Sequence, residues 1–222
     1  MSIGKTLAPC AAAAALLLNF TLAAPDAAAG EGKSAGDIMV RGRVIGVLPD
    51  EESSLTLNGA GIGDKAEVGN RWTGEIDGSY FITDNIALEL IAATTKHTVK
   101  SNGTTLGNFD LGSVGLLPPT LTAQYHFMPK SAFSPYLGAG VTYAIFYNEK
   151  PGAADSIHYD NAWGFALQAG IDYNISGNWY LNADVKKIFI STDVTAGAGA
   201  NTAKADVDLD PWVVGFGVGY KF

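Results

Sequence analysis

Large apolar residues alternate with small or polar ones through the last eleven positions, Trp212-Val213-Val214-Gly215-Phe216-Gly217-Val218-Gly219-Tyr220-Lys221-Phe222. With a side-chain period of two, Trp212, Val214, Phe216, Val218, Tyr220 and Phe222 share one face of a strand. Val213, Gly215, Gly217, Gly219 and Lys221 share the other. A greasy face with aromatics near both ends, backed by glycines, fits a strand between hydrocarbon and a narrow interior. The same alternation predicts eight strands, over residues 37–48, 71–82, 86–99, 120–127, 135–147, 162–173, 179–191 and 212–222. Short links (83–85, around 128–130, and 174–178) take turns with long ones (49–70, 100–119, 148–161 and 192–211). An even strand count with short turns at one rim and long loops at the other predicts an all-β fold. The architecture expected is an eight-stranded antiparallel transmembrane up-and-down β-barrel in a bacterial outer membrane, with periplasmic termini and long extracellular loops.

The two faces carry different information. Outward positions such as Ile38, Val44, Trp72, Ile76, Leu90, Leu137, Trp163, Phe165 and Leu181 form a lipid-facing band. Inward positions carry Arg41, Arg43, Glu75, Asp77, Glu89, Thr122, Gln124, His126, Gln168, Asp172, Asn182, Asp184 and Lys186, which would be costly against lipid. Odd strands rise from the periplasmic turns and even strands descend. The lower lumen is therefore expected to hold a polar plug of Arg41, Arg43, Glu75, Asp77, Glu89, Asp184 and Lys186. The upper lumen collects Ile45, Val47, Ile91, Phe146, Ile188 and Val213, an apolar cup on the path of a substrate. A barrel of eight strands is wide enough only for its own side chains or one small ligand.

The N-terminus predicts the route to such a membrane. Lys5 precedes an apolar run over 11–22, too short to span a bilayer, and Ala-x-Ala-like sites follow at Ala24 and Ala29. Residues 1–29 are read as a signal peptide cleaved after Ala24 or Ala29, and 30–222 as a single barrel domain. The lone cysteine, Cys10, leaves with the signal, so disulfide and thiolate chemistry are not expected. A formal net charge of −8 gives no electrostatic footprint for nucleic acid.

Catalytic and metal readings find no support in the pattern. Asp206, Asp208 and Asp210 resemble the opening of a calcium loop, but Pro211 replaces the required glycine and Gly217 the bidentate glutamate. His97, His126 and His158 lack metal-ligand spacing, and no Gly-x-Ser-x-Gly elbow is present. The glycine-rich stretches 59–63 and 196–200 precede no helix that could hold a phosphate and read as mobile loop tips. Asp50, Glu51, Glu52, Asp206 and Asp208 read as solvated loop charges that can share divalent cations with surface phosphates. No enzyme activity, metal or cofactor is expected.

Four stretches in order carry a family resemblance: 83–94 (Thr-Asp-Asn-Ile-Ala-Leu-Glu-Leu-Ile-Ala-Ala-Thr), 117–125 (Leu-Pro-Pro-Thr-Leu-Thr-Ala-Gln-Tyr), 135–141 (Pro-Tyr-Leu-Gly-Ala-Gly-Val), and 209–213 with the Gly219-Tyr220-Lys221-Phe222 end. The chain resembles the outer-membrane protein W family over its mature length. The resemblance implies an eight-stranded barrel whose hydrophobic lumen admits small hydrophobic molecules, with Ile91 at the family's apolar lumen position. Lys186 departs from the aromatic that the family carries near there. A cation paired with Asp184 or Glu89 makes that level more polar. Family members also serve as phage or bacteriocin receptors. Two functions are thus expected in competition. One is a passive channel or binding cup with lateral exit to the bilayer beside Pro118 and Pro119, whose missing N–H groups weaken the ladder. The other is an adhesion or receptor barrel, closed inside, whose loops bind phage, bacteriocin or a host surface. Expected partners are outer-membrane lipid and lipopolysaccharide, small hydrophobic molecules, and the barrel-assembly machinery, met through the strand ending in Phe222.

Overall fold

A computed structural model describes residues 32–222, apart from 51, 59, 64–65, 102–108, 153 and 200. The expected signal peptide and its cleavage sites, and Glu51, lie outside the described residues. Eight strands form the barrel wall: β1 (Ile38–Leu48), β5 (Arg71–Phe81), β6 (Ile86–Ala93), β9 (Thr120–His126), β10 (Phe133–Pro151), β12 (Ala162–Ser176), β13 (Trp179–Phe189) and β16 (Trp212–Lys221). The remaining strands are β2 (Glu52–Leu57), β3 (Ala60–Gly63), β4 (Ala66–Val68), β7 (Thr95–Ser101), β8 (Phe109–Leu117), β11 (Ser156–Tyr159), β14 (Ser191–Ala198) and β15 (Asn201–Asp208). Antiparallel pairing runs β12-β13-β16-β1-β5-β6-β9-β10, and β10 pairs back onto β12 to close the ring. Closure gives each strand of the ring two hydrogen-bonded neighbours, as a lipid environment demands.

The period-two pattern is obeyed along the wall. Trp72, Trp163, Phe165 and Phe216 are each at least 64% exposed on the outside, whereas Arg41, Glu89, Asp172 and Thr122 inside are fully buried. Aromatics gird the outer face at two levels: Trp72, Trp163 and Trp212 toward the long-hairpin end, and Tyr80, Tyr125, Phe127, Trp179 and Phe222 toward the short-turn end. The glycine face of β16 has a steric purpose. A Cβ at Gly217 would approach Arg43 Cγ to 2.6 Å and one at Gly219 would approach Arg41 Cγ to 3.0 Å, so their absence makes room for both arginine stems.

The expectation of long loops is corrected. Segments 49–70, 100–119, 148–161 and 192–211 contain strands that extend the wall beyond the barrel: β14 and β15 pair along Ser191–Asp208, β2 pairs with β15, and β8 pairs with both β7 and β10. Their inward side chains, such as Thr192, Ala196, Ala203 and Ala205, are too small to register as hydrophobic periodicity. The glycine-rich stretches follow suit. Ala60–Gly63 is β3 and 196–198 belongs to β14, with Gly199 in the turn, while 59 and 200 lie outside the described residues. Asp206 and Asp208 sit on β15 rather than in a loop. The predicted strand 86–99 is interrupted at Thr94 between β6 and β7, and the link 174–178 shrinks to a turn at Gly177 (φ 52°) and Asn178.

Candidate functional site

The lower lumen is filled by ionised side chains that contact one another. Arg41 reaches Asp77 at 2.7 Å, Glu89 at 3.1 Å and Asp172 at 3.1 Å. Arg43, the next inward residue on β1, reaches Glu75 at 2.7 Å and Asp77 at 2.8 Å. Lys186 pairs with Asp184 at 2.6 Å and with Glu75 at 3.1 Å, so its second partner is Glu75 rather than Glu89. Neutral groups take up the remaining capacity. Gln168 donates to Glu89 (2.9 Å) and Asp184 (2.7 Å), Tyr136 donates to Asp184 (3.2 Å), and Asn182 donates to Asp172 (2.8 Å). Buried charges persist only when paired and hydrogen-bonded in this way, because desolvating them is otherwise too costly.

One member of this network escaped the sequence reading. Lys33, upstream of β1, inserts its ammonium into the lumen, where it meets Asp172 at 2.7 Å, Ser134 at 3.0 Å and His126 Nδ1 at 3.0 Å. It is fully buried, and its backbone N–H is held by the Pro129 carbonyl at 2.8 Å. A lone lysine outside any strand carries no periodicity, so its placement had no signal in the pattern.

Above the network lie two adjoining cavities. The lower one, about 690 Å³ including its mouth, has Glu75 and Lys186 among its lining, and Ile45, Val47, Ile91, Ile188 and Val213 in its wall. The upper one, about 860 Å³ including its mouth, lies within the strand extensions and is lined by Phe146, Val114, Ile157, Val194, Ala205 and Val207 among others. Val47, His97, Leu116, Leu209 and Pro211 line both. All six residues anticipated for the apolar cup thus border one cavity or the other.

The wall beside the lower cavity has a discontinuity. The β6–β9 ladder stops at Ile91–Thr120, and pairing on that side resumes only at Thr95–Leu116 between β7 and β8. Leu117, Pro118 and Pro119 face this gap, and Pro118 lines the cavity. Proline has no N–H to donate, and the two proline carbonyls turn to Thr120 Oγ1 (3.1 Å, to Pro118) and to the Tyr143 N–H (3.1 Å, to Pro119).

The OmpW family model matches residues 34–222. The chain belongs to the OmpW family. It is 42% identical to an outer-membrane protein of Sinorhizobium fredii, over 100% of this chain and 94% of that one. The crystal structure of the outer membrane protein OprG from Pseudomonas aeruginosa superposes with a TM-score of 0.82 at 36% identity, covering 87% of this chain and 99% of that one. A further relative, 28% identical over 78% of this chain and 82% of its own, is the dibenzothiophene metabolism operon protein PahQ of Pseudomonas aeruginosa. This OmpW-family chain is accordingly an outer-membrane β-barrel, and its exposed apolar band is the surface that meets lipid.

Proposed function

We propose that this barrel is a passive channel for small hydrophobic molecules, which enter at the long-hairpin end and leave sideways into the bilayer. The observation that carries the reading is an apolar pair of cavities standing on a sealed ionic floor, beside an interrupted ladder. Burying a solute in the cavities gains roughly 25 cal/mol per Å² of apolar area. Straight passage downward would require an oily solute to separate the Arg41, Arg43 and Lys186 ion pairs, which is unfavourable. The gap between Ile91–Thr120 and Thr95–Leu116 supplies the alternative exit, with Pro118 and Pro119 keeping the ladder from closing. The naming of PahQ for dibenzothiophene metabolism supports a hydrophobic cargo. In this reading the short-turn end is periplasmic, the long hairpins project among lipopolysaccharide, and the strand ending in Phe222 is offered to the barrel-assembly machinery.

The test is uptake of a hydrophobic reporter by cells with and without the protein, and with an Ile91→Trp variant that fills the lower cavity, where Ile91 is 3% exposed. The protein is expected to raise uptake and Ile91→Trp to abolish it while the barrel still folds. If neither changes uptake, transport is wrong and the hairpins become the functional surface, as in a receptor for phage, bacteriocin or a host.

A further inference from the structure

The gap in the wall is crossed on its outer side by one side chain. Thr94 lies in the break between β6 and β7, and its hydroxyl is hydrogen-bonded to the hydroxyl of Tyr147 on β10. Between them runs β8, paired with β7 on one side and with β10 on the other. Tyr147 stands opposite Gly115 of β8, and a Cβ at that glycine would lie 2.6 Å from the Tyr147 ring. The ring therefore passes over Gly115, where a larger residue would stand in its way. Alternation turns all three outward: Val114 and Leu116, flanking Gly115, line the cavities, whereas Tyr147 and Thr94 are exposed.

We propose that Tyr147 and Thr94 form the latch of the lateral exit, and that parting their hydroxyls is the step that releases cargo from the lower cavity to the bilayer. This deepens, and rests on, the hydrophobic-channel reading. Ala93 and Pro118, inside the same gap, line the lower cavity, so the latch stands between that cavity and lipid. The register on either side of the gap sets Thr94 opposite Leu117, yet no strand pairing joins 92–94 to 117–119. The hydroxyl bond ties the two sides where the ladder does not. Thr94 is also fixed from behind, its carbonyl accepting from Thr73 Oγ1 of β5 at 2.9 Å.

The strength of this tie suits a gate. Hydroxyls on an outer face find fewer replacement partners in lipid than in water, so the bond holds the gap closed. One neutral hydrogen bond nevertheless shifts an equilibrium only about two- to tenfold, so opening remains accessible. The Tyr147 backbone stays in the β8–β10 ladder whichever way its side chain points. Opening thus needs a side-chain rotation and leaves the strands paired.

The test is the initial rate of hydrophobic-reporter uptake by cells carrying Tyr147→Phe or Thr94→Val, at matched amounts of folded barrel. Unmodified protein and cells without it are the references. Each substitution keeps most of the side chain and deletes one hydroxyl. Each is expected to raise the rate about two- to tenfold, the range of one neutral hydrogen bond. The double variant should rise no further than either single one, because both delete the same bond. Ion conductance across planar bilayers should not rise, since the ionic floor is untouched. An unchanged or lowered rate in either single variant, a further gain in the double variant, or a rise in conductance would overturn the latch and leave the channel reading standing. If unmodified protein fails to raise uptake over cells without it, the channel reading falls and takes the latch with it.

Discussion

The two halves of the lumen are built on the same strands by the same alternation, yet they solve opposite problems. Below, Lys33, Arg41, Arg43 and Lys186 interlock with Glu75, Asp77, Glu89, Asp172 and Asp184, and each of these nine side chains is at most 7% exposed. Above, Ile45, Ile188 and Val213 pack against one another but leave room for a guest. Filling a narrow barrel with charge produces a seal, because every pair is committed and none can be separated cheaply for an apolar solute. Lining it with branched aliphatics and alanine produces a container, since apolar walls have no partner to demand.

The sharpest way to break this contrast is to unbalance the seal. Arg41→Leu strands Asp77, Glu89 and Asp172 in a buried site and is expected to cost about 3–5 kcal/mol, the typical penalty for removing one partner of a buried ion pair. Urea unfolding of the protein in lipid vesicles measures it. The matching change in the container should cost less. Ile188→Ala removes three carbons, about 2 kcal/mol of transfer free energy at most, and adds its void to a cavity that already exists. If Ile188→Ala proved the more damaging of the two, the upper wall would be a packed core and not a cup.

The next comparison concerns the wall itself. Replacing Pro118 and Pro119 together by alanine restores two donors where the ladder lapses between Ile91–Thr120 and Thr95–Leu116. Reporter uptake should fall while the unfolding midpoint is largely kept. Undiminished uptake in the double variant would exclude a lateral exit at this place.

A smaller effect separates the level of the two cavities, where His97 lies, from the seal by pH. His97 is held neutral in the fold by burial and the Arg71 charge, which keep its pKa below the ordinary 6.5, and it takes up a proton more readily when unfolded. Its contribution to stability is therefore complete above about pH 6.5 and declines as pH falls toward the folded-state value. Unfolding midpoints at pH 7.5 and 5 should differ more in the native protein than in His97→Leu, where this titration is gone. Equal differences would mean that the ring is already hydrated.

How much of this was legible depends on side-chain size. The eight wall strands could be read because Trp72, Ile76 and Leu90 alternate with Glu75, Asp77 and Glu89, a contrast large enough to fix the face of every residue. β14 and β15 could not, because Thr192, Ala196 and Ala205 alternate with Asp193 and Lys204, a pattern that resembles a polar loop until the pairing partner is known. Parity turns the ionic residues inward, and Asp184 was expected as a partner of Lys186, but its second partner was not, since Glu75 and Glu89 both point inward and only the stagger of the strands brings Glu75 to Lys186. Tyr159 lay in what reads as a loop, so this residue of the upper cavity's lining had no face to be assigned to.

Lys33 poses the remaining question, whether a buried ion pair or a surface clasp holds the N-terminal segment in the barrel mouth. The clasp is Asp84, on the turn between β5 and β6, which accepts the Ala35 N–H at 2.9 Å and pairs with Lys130 at 3.0 Å. These contacts hold its carboxyl below the usual value, so the clasp is complete above about pH 4 and loosens as pH falls through the lowered value. Both partners are exposed, where ion pairs contribute little. The buried side has Lys33 on Asp172 and its amide on Pro129. Asp84→Asn should therefore quicken hydrogen exchange at the Ala35 amide near neutral pH and leave the Lys33 amide protected, the smallest effect of the series. If both amides exchanged faster together, the segment would be held from the surface, and the seal below the cavities would depend on a turn that water reaches freely.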